Sequence, residues 1–157
     1  GAAISPMNAF LILQGCETLA LRMDRICENA VKLARCLQAH PKVASVNYAG
    51  LDDHPDHPLV QRLMGGRASG IISFVLKSDD ARAAGARFQD ALKLFTRLVN
   101  IGDAKSLACH PASTTHRQLS PEELAKAGVS EDMIRLSVGI EHIDDLLEDL
   151  DQALGTV

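Results

Sequence analysis

Gly70-Ile71-Ile72-Ser73-Phe74-Val75-Leu76 is the stretch that most clearly decides the fold of this chain. It is dense in β-branched and other apolar residues, which is typical of a buried β-strand. The sequence Ser78-Asp79-Asp80 follows, and it predicts a capped helix over 79–95 with acidic residues where the helix dipole favours them. A strand followed at once by a capped helix predicts a domain of mixed α and β structure.

A long helix is predicted before this strand. Ser5-Pro6 is typical of a helix start, and His40-Pro41 ends the helix, which would span much of residues 6–39 with a bend or interruption at Gly15. Its apolar residues recur at steps of three and four, as on one helix face: Leu19, Met23, Ile26, Ala30, Leu33 and Leu37. So long a helix suggests a spine that joins this domain to another body, and the seam of a coiled coil is the alternative.

The remaining pattern predicts an α+β fold. Strands are expected at 43–48 and 134–138, short extended pieces at 98–100 and 106–109, and helices at 59–64, from Ser120 and from Glu141. We therefore expect a small, mostly antiparallel sheet of three to five strands, with helices packed on one face and the long N-terminal spine helix in front. Residues 1–157 form a single domain in this interpretation, with 1–40 as the spine helix and 41–157 as the sheet domain.

Composition excludes several classes of function. The 157 residues carry a net charge of −4, and aromatic residues are scarce, which argues against nucleic-acid binding. No run of 18 apolar residues and no signal peptide is present, so we expect no membrane span and a cytoplasmic location. None of the four cysteines lies in a Cys-x-x-Cys pair, which predicts reduced thiols and no zinc site: Cys16, Cys27, Cys36 and Cys109.

Arg135 is the first candidate binding residue. In the predicted strand, period-two alternation places Met133, Arg135 and Ser137 on one face. The guanidinium there offers a rigid two-pronged donor for a carboxylate. An exposed arginine, or one paired with an internal acid, is the alternative interpretation.

The segment 100–116 is the second candidate. Gly102 allows a tight turn, and the small hydroxyl-rich run Ala112-Ser113-Thr114-Thr115 offers amides and hydroxyls to an anion. An ordinary loop explains the same residues. A Cys109-His110 nucleophile pair is disfavoured, because neighbours in a strand point to opposite faces.

The run Asp52-Asp53-His54-Pro55-Asp56-His57-Pro58 contains metal-ligand residue types. It has neither a helical i, i+4 spacing nor a second cluster of ligands. A solvated loop is therefore expected, and no metal site is predicted.

Several longer motifs carry a family resemblance: Leu13-Gln14-Gly15 before Glu17-Thr18-Leu19, Asn100-Ile101-Gly102-Asp103-Ala104-Lys105-Ser106-Leu107, Ser113-Thr114-Thr115-His116, and Arg135-Leu136-Ser137-Val138-Gly139-Ile140-Glu141-His142. With them, essentially the whole chain resembles the C-terminal domain of the γ-family of fold-type-I pyridoxal-phosphate enzymes of cysteine and methionine metabolism. It is most similar to the O-acetylhomoserine sulfhydrylase branch. Cys16, Ala108-Cys109 and Ser78-Asp79-Asp80 depart from that branch's usual pattern.

The resemblance implies a function. Arg135 would clamp the substrate α-carboxylate, Asn100 would assist it, and Thr115 would line the substrate entrance. The chemistry would be γ-replacement on O-acetylhomoserine by sulfide or a thiol. No catalytic or cofactor-binding residue is expected in this chain, because no lysine lies in the Ser-x-Thr-Lys context of the Schiff-base residue. Pyridoxal phosphate would be held by the chain's own N-terminal domain, upstream of Gly1, and 1–157 alone would be inactive.

Three alternatives stay open. The parent enzyme could be a methionine γ-lyase or a cystathionine γ-synthase or lyase, branches in which Ser-Leu-Gly more often stands where this chain has Asn100-Ile101-Gly102. The chain could instead be a non-catalytic, self-associating domain, since family members are homotetramers. The acyl group of the substrate and the sulfur donor are not decided by the sequence.

Overall fold

The computed structural model describes residues 2–157, except for the side chain of Pro121. Gly1, the first residue of the predicted domain, lies outside the described residues. The helices are α1 (Pro6–Glu17), α2 (Leu19–Ala39), α3 (His57–Met64), α4 (Ala81–Ala91), α5 (Pro121–Lys126) and α6 (Ile143–Leu154). The strands are β1 (Val43–Asn47), β2 (Ile71–Leu76), β3 (Thr96–Arg97), β4 (Leu107–Cys109) and β5 (Met133–Ser137), and a 3-10 turn covers Pro111–Ser113.

The five strands form one sheet in the order β1-β2-β5-β4-β3. The pairings β1 with β2, β2 with β5 and β5 with β4 are antiparallel. The pairing of β3 with β4 is parallel, because the loop of residues 98–106 carries the chain back to the end where β3 began. The α+β class expected from the sequence is thus present, but the sheet is mixed.

One face of the sheet is sealed by helices. Alternate residues of β2 and β5 point toward α2, α4 and α6, and all are at most 1% exposed: Ile72, Phe74, Leu76, Ile134 and Leu136. Phe74 meets Phe88 of α4 edge-on, with ring centroids 5.7 Å apart, an arrangement that favours aromatic pairs. This helix face forms the main hydrophobic core.

The opposite side of the sheet, which we call the open face, carries Ser73, Cys109, Met133 and Arg135. Met133 packs there against a small cluster that includes Leu124 of α5. The expectation that all helices pack on one face is therefore wrong for α5. Beside it, a groove of about 410 Å³ lies between α5 and the polar residues of β1 and β2.

The predicted spine helix is wrong in one respect, since it is divided into α1 and α2 at Thr18. The Arg22 guanidinium donates to the Gly15 carbonyl and, at 3.3 Å, to the Thr18 hydroxyl. It thereby satisfies acceptors that a broken helix leaves free. In α2 the predicted apolar stripe is buried from Ile26 onward, whereas α1 buries no side chain in this structure.

A second correction concerns the end of α4. The sequence predicted a helix to residue 95, but α4 ends at Ala91. The reason is the carboxylate of Asp149 on α6, which accepts hydrogen bonds from the backbone N–H groups of Lys93, Leu94 and Phe95 at 2.8–2.9 Å. The backbone of residues 93–95 therefore leaves the helical path. The next residues, Thr96–Arg97, form β3, whereas the sequence predicted an extended piece at 98–100.

Candidate functional site

Arg135 lies at the centre of the open face. Its register partners are Ser73 on β2 and Cys109 on β4, so its neighbours across the sheet are small. The residue is half-buried, whereas Ile134 and Leu136 on either side of it are fully buried on the helix face. The alternation expected from the sequence is present, and it leaves the guanidinium accessible beside the strands.

Asn100 meets Arg135 through its backbone. The Arg135 Nη2 atom donates to the Asn100 carbonyl oxygen at 3.4 Å. The Asn100 side chain is engaged within its own loop, where Oδ1 accepts from the Ile101 N–H at 2.9 Å and Nδ2 donates to Asp103 at 3.4 Å. The two residues named from the sequence are thus brought together.

Asp103 shapes the same loop. Its carboxylate accepts from the Lys105 N–H at 3.0 Å, and this hydrogen bond, with help from Asn100, holds the pKa of Asp103 below its usual range. Gly102 has φ of +77°, a left-handed conformation that favours glycine. The loop therefore has a defined conformation of its own.

A contact that the sequence did not reveal ties this loop to the end of β5. The Glu141 carboxylate accepts from the Ser106 N–H at 2.6 Å and from the Ser106 hydroxyl at 2.9 Å. The Ser106 hydroxyl in turn accepts from the Gly139 N–H at 2.8 Å, and the Ile140 N–H donates to the Ala104 carbonyl at 3.0 Å. We call this the Ser106–Glu141 contact.

Two further residues explain how the chain reaches this arrangement. A Cβ atom at Gly139 would stand 2.4 Å from the Ala104 carbonyl oxygen, so only glycine allows the close approach. The fully buried Asn29 of α2 donates to the carbonyls of Gly139 and Glu141 at 3.1 and 3.0 Å. Gly139 lies in a motif that carries the family resemblance, but no local pattern at Gly139 or Asn29 predicts a partner so distant along the chain.

Thr115 lies apart from Arg135 and Asn100. It is exposed, and its hydroxyl is 2.8 Å from the His116 Nδ1 atom. Within residues 2–157, no hydrogen bond links it to Arg135 or Asn100. This placement does not test the role in the substrate entrance that the resemblance implies.

Cys109 and His110 do not form a nucleophile pair. The His110 ring is buried between the Ser113 hydroxyl at 2.8 Å and the Glu131 carbonyl at 2.6 Å, so it holds the 3-10 turn in place. Burial raises the pKa of the Cys109 thiol, and the nearby Arg135 charge opposes that effect only in part. The thiol is therefore a neutral neighbour of the guanidinium.

These residues lie in a chain with clear relatives. The model of the Cys/Met metabolism PLP-dependent enzymes matches residues 1–155. The chain belongs to this family. Members of this family depend on pyridoxal phosphate.

Individual family members show how far the similarity extends. The chain is 49% identical over 154 residues to O-acetyl-L-homoserine sulfhydrylase 1 of Thermus thermophilus, covering 98% of this chain and 36% of the relative. It is 50% identical over 154 residues to the L-methionine gamma-lyase of Pseudomonas putida, covering 98% of this chain and 38% of the relative. The chain thus spans little more than a third of the length of these relatives.

A solved family structure shares the fold. The crystal structure of a putative O-acetylhomoserine (thiol)-lyase from Campylobacter jejuni matches with a TM-score of 0.89 and 46% identity, covering 99% of this chain and 36% of that one. That protein carries an N'-pyridoxyl-lysine-5'-monophosphate. The cofactor of the family is thus attached to a lysine in that relative.

The described residues of this family member do not themselves fit the cofactor. All six lysines are exposed, and Lys32 pairs with Glu28 at 2.7 Å. Lys93 borders a shallow depression whose other charged residues are acidic, which disfavours a phosphate group. We derive no cofactor chemistry from residues 2–157.

Neither a cluster of metal ligands nor a membrane-spanning helix is found among the described residues. Within 2–157, no group of three or more His, Cys, Asp or Glu side chains converges as metal ligands. In the run 52–58, His54 contacts Asn47 and His57 lies 3.7 Å from Asp52. No helix in this part of the chain has both the length and the apolar character needed to cross a bilayer.

Proposed function

We propose that this chain is the C-terminal, substrate-carboxylate-binding domain of a longer pyridoxal-phosphate enzyme. That enzyme would replace the γ-acetoxy group of O-acetylhomoserine with sulfide or a thiol, giving homocysteine or methionine. The observation that carries the proposal is Arg135 on the open face, beside the Asn100 carbonyl, in a chain about half identical to O-acetyl-L-homoserine sulfhydrylases.

Arg135 supplies the recognition in this proposal. Within the described residues its guanidinium makes one hydrogen bond to an oxygen atom and has the Cys109 thiol as a further neighbour, which leaves N–H groups to donate to a substrate carboxylate in a two-pronged contact. Such a charge-assisted contact contributes about 2–3 kcal/mol in a partly desolvated site. Asn100 limits the guanidinium from one side, and Thr115 would line the path by which substrate enters.

Orientation is the catalytic contribution of this domain. A carboxylate fixed at Arg135 places the remainder of the amino acid at a defined distance from whatever part of the enzyme reacts with it. The cofactor, bound by the rest of the polypeptide, would supply the electron sink that the reaction needs. No residue of this chain is assigned a bond-breaking role.

The test compares arginine variants in the complete polypeptide. Arg135→Ala is expected to raise the KM for O-acetylhomoserine by about 30- to 150-fold, the loss equivalent to 2–3 kcal/mol. Arg135→Lys keeps the charge and loses the two-pronged geometry, so its effect should be intermediate. Arg62→Ala, at an exposed position of α3, is the matched control.

The outcome is read from steady-state kinetics and from the visible absorbance of the cofactor. The absorbance should be the same in all variants, because the cofactor lies elsewhere. Equal KM values for Arg135→Ala and Arg62→Ala would contradict the proposal.

A methionine γ-lyase is the second candidate, because the L-methionine gamma-lyase of Pseudomonas putida is 50% identical to this chain. The two activities use the same cofactor but give different products. A sulfhydrylase forms a thioether or thiol amino acid, whereas a γ-lyase releases an α-keto acid and ammonia. Product analysis with O-acetylhomoserine plus sulfide, and separately with methionine, decides between them.

The partner surface is part of the proposal. Helix α1 exposes Met7, Phe10, Leu11, Ile12 and Leu13, all more than half exposed. Contiguous apolar surface of this kind marks a binding surface. We assign this surface of α1 to contact with the chain's own N-terminal cofactor domain within a cytoplasmic homotetramer. Sedimentation of the complete polypeptide, with and without Phe10→Ser, tests whether the homotetramer forms.

A further inference from the structure

We propose that Glu141 is a positioning residue for the carboxylate site. Through Ser106 it fixes the loop 98–106, whose Asn100 carbonyl meets Arg135. This inference rests on the proposed function, because it gives Glu141 a role at the site that Arg135 forms.

The first support is how the loop is attached. Its inner hydrogen bonds run from Asn100 to Asp103 and from Lys105 to Asp103, so they shape the loop without placing it on the sheet. The bonds that place it converge on the turn after β5, where Ile140 binds Ala104 and Glu141 binds Ser106. Within the part of the chain that the structure describes, Glu141 is the only charged side chain among the groups of this turn that anchor the loop.

The second support is the completeness of the contact. Ser106 is fully buried, and its hydroxyl donates to Glu141 while it accepts from the Gly139 N–H. Both carboxylate oxygens of Glu141 are used, and hydrogen bonds to a carboxylate are stronger than neutral ones. Removing Glu141 would leave two buried donors of Ser106 without partners, which is costly.

The third support is the sensitivity of the Arg135–Asn100 contact. At 3.4 Å it lies near the outer limit of a hydrogen bond, so a small displacement of the loop breaks it. The guanidinium would then gain a wider range of orientations. A less ordered arginine binds a carboxylate more weakly, because the ordering must be supplied on binding.

Asp149 provides a matched control. It is a buried carboxylate, whereas Glu141 is partly buried, and it accepts three backbone hydrogen bonds near the start of the same strand–loop segment and a fourth from the Gln152 side chain. It lies on α6, on the helix side of the sheet, and anchors the turn before β3 rather than the loop beside Arg135. Asp149→Asn therefore reports general loosening without direct displacement of Asn100.

The experiment uses the complete polypeptide and two probes, norleucine and its carboxamide norleucinamide, as competitive inhibitors. The ratio of their inhibition constants measures recognition of the carboxylate. Glu141→Ala is expected to lower this preference about tenfold and to raise the KM for O-acetylhomoserine similarly, with kcat changed less than about threefold. Glu141→Gln keeps the shape and one acceptor and should restore part of the preference.

A second readout does not depend on activity. In the 157-residue chain, Glu141→Ala should speed hydrogen exchange at the amides of Ile101, Lys105 and Ser106, while the amides of β1 and β2 keep their protection. Asp149→Asn should lower the melting temperature without changing the inhibitor preference.

Each possible outcome supports or contradicts either the positioning role of Glu141 or the proposed function. If Arg135→Ala removes the preference and Glu141→Ala retains it, the role of Glu141 is wrong while the proposed function stands. If Arg135→Ala leaves the preference intact, the proposed function itself fails. An equal loss of preference in Asp149→Asn overturns the positioning role in favour of general loosening. Should Glu141→Ala not fold, Ser106→Ala carries the same test, because it removes the hydroxyl contacts with Glu141 and Gly139 and keeps the backbone contact with Glu141.

Discussion

The two faces of the sheet differ in what their residues do. Phe74 and Leu136 point toward the helices and are at most 1% exposed, whereas their chain neighbours Ser73 and Arg135 lie on the open face. One face is apolar and sealed, whereas the other mixes polar residues with Met133 and leaves Ser73 and Arg135 half-buried. The strands β2 and β5 therefore carry the hydrophobic core on one face and the candidate site on the other. Substitutions can change the core and the site independently.

The largest effect is expected on the helix face. Phe74→Ala removes a fully buried ring that meets Phe88, and it should lower the free energy of unfolding by about 3–5 kcal/mol. Ser73→Ala, one residue away on the open face, should change it by less than about 1 kcal/mol. Urea unfolding of the 157-residue chain measures both. Similar losses in the two variants would mean that the open face also carries the stability of the fold.

A smaller loss is expected where α6 anchors the chain before β3. Asp149→Asn weakens the hydrogen bonds to three backbone N–H groups, so it should cost about 1–3 kcal/mol. Glu148→Gln, its exposed neighbour, should cost less than about 0.5 kcal/mol. Thermal unfolding checks the pair, and an equal melting temperature for both would show that the carboxylate is not needed to end α4.

The effect of Arg135→Ala on stability should be smaller still. The side chain is half-buried and makes a single long hydrogen bond within the described residues, so we expect less than about 1 kcal/mol in urea unfolding. The same change should raise the KM strongly in the complete polypeptide. A large stability loss would assign Arg135 to the scaffold instead of to recognition.

Local patterns explain which parts of this fold could be predicted from the sequence. The helix start expected at Ser120 depends on residues three apart, and in the structure Ser120 and Glu123 cap this helix reciprocally. The alternation that exposes Arg135 likewise depends only on neighbours within β5. Both predictions depend only on residues that are close together along the chain.

Contacts between distant residues explain what the sequence missed. The end of α4 depends on Asp149, more than fifty residues away, and the Ser106–Glu141 contact joins residues 35 apart. The parallel pairing of β3 with β4 depends on the path of the loop between them. No local period encodes such partners, so the strand and the arginine could be predicted while the groups that hold them in place could not.

The smallest expected effect is the response of the Asn100–Lys105 loop to pH. Hydrogen bonds that the Asp103 carboxylate accepts from the Lys105 N–H and from Asn100 favour its charged form and lower its pKa. A carboxyl whose pKa is lowered on folding stabilises the loop at pH above the ordinary aspartate range, and loses that effect as pH falls through the lowered value. Among the described residues, the sheet residues that point to the helix face include no such group, so their amides should not respond.

NMR of the 157-residue chain checks this directly. The Lys105 amide should shift with a midpoint below that of an ordinary aspartate, while the amides of Ile72 and Phe74 stay constant over the same pH range. Asp103→Asn removes the titrating group and should abolish the shift at Lys105. A midpoint at the ordinary aspartate value would mean that the loop is not held by Asp103. The inner shape of the loop would then not depend on Asp103, whereas its placement on the sheet would still rest on the contacts of Ile140 and Glu141 with Ala104 and Ser106.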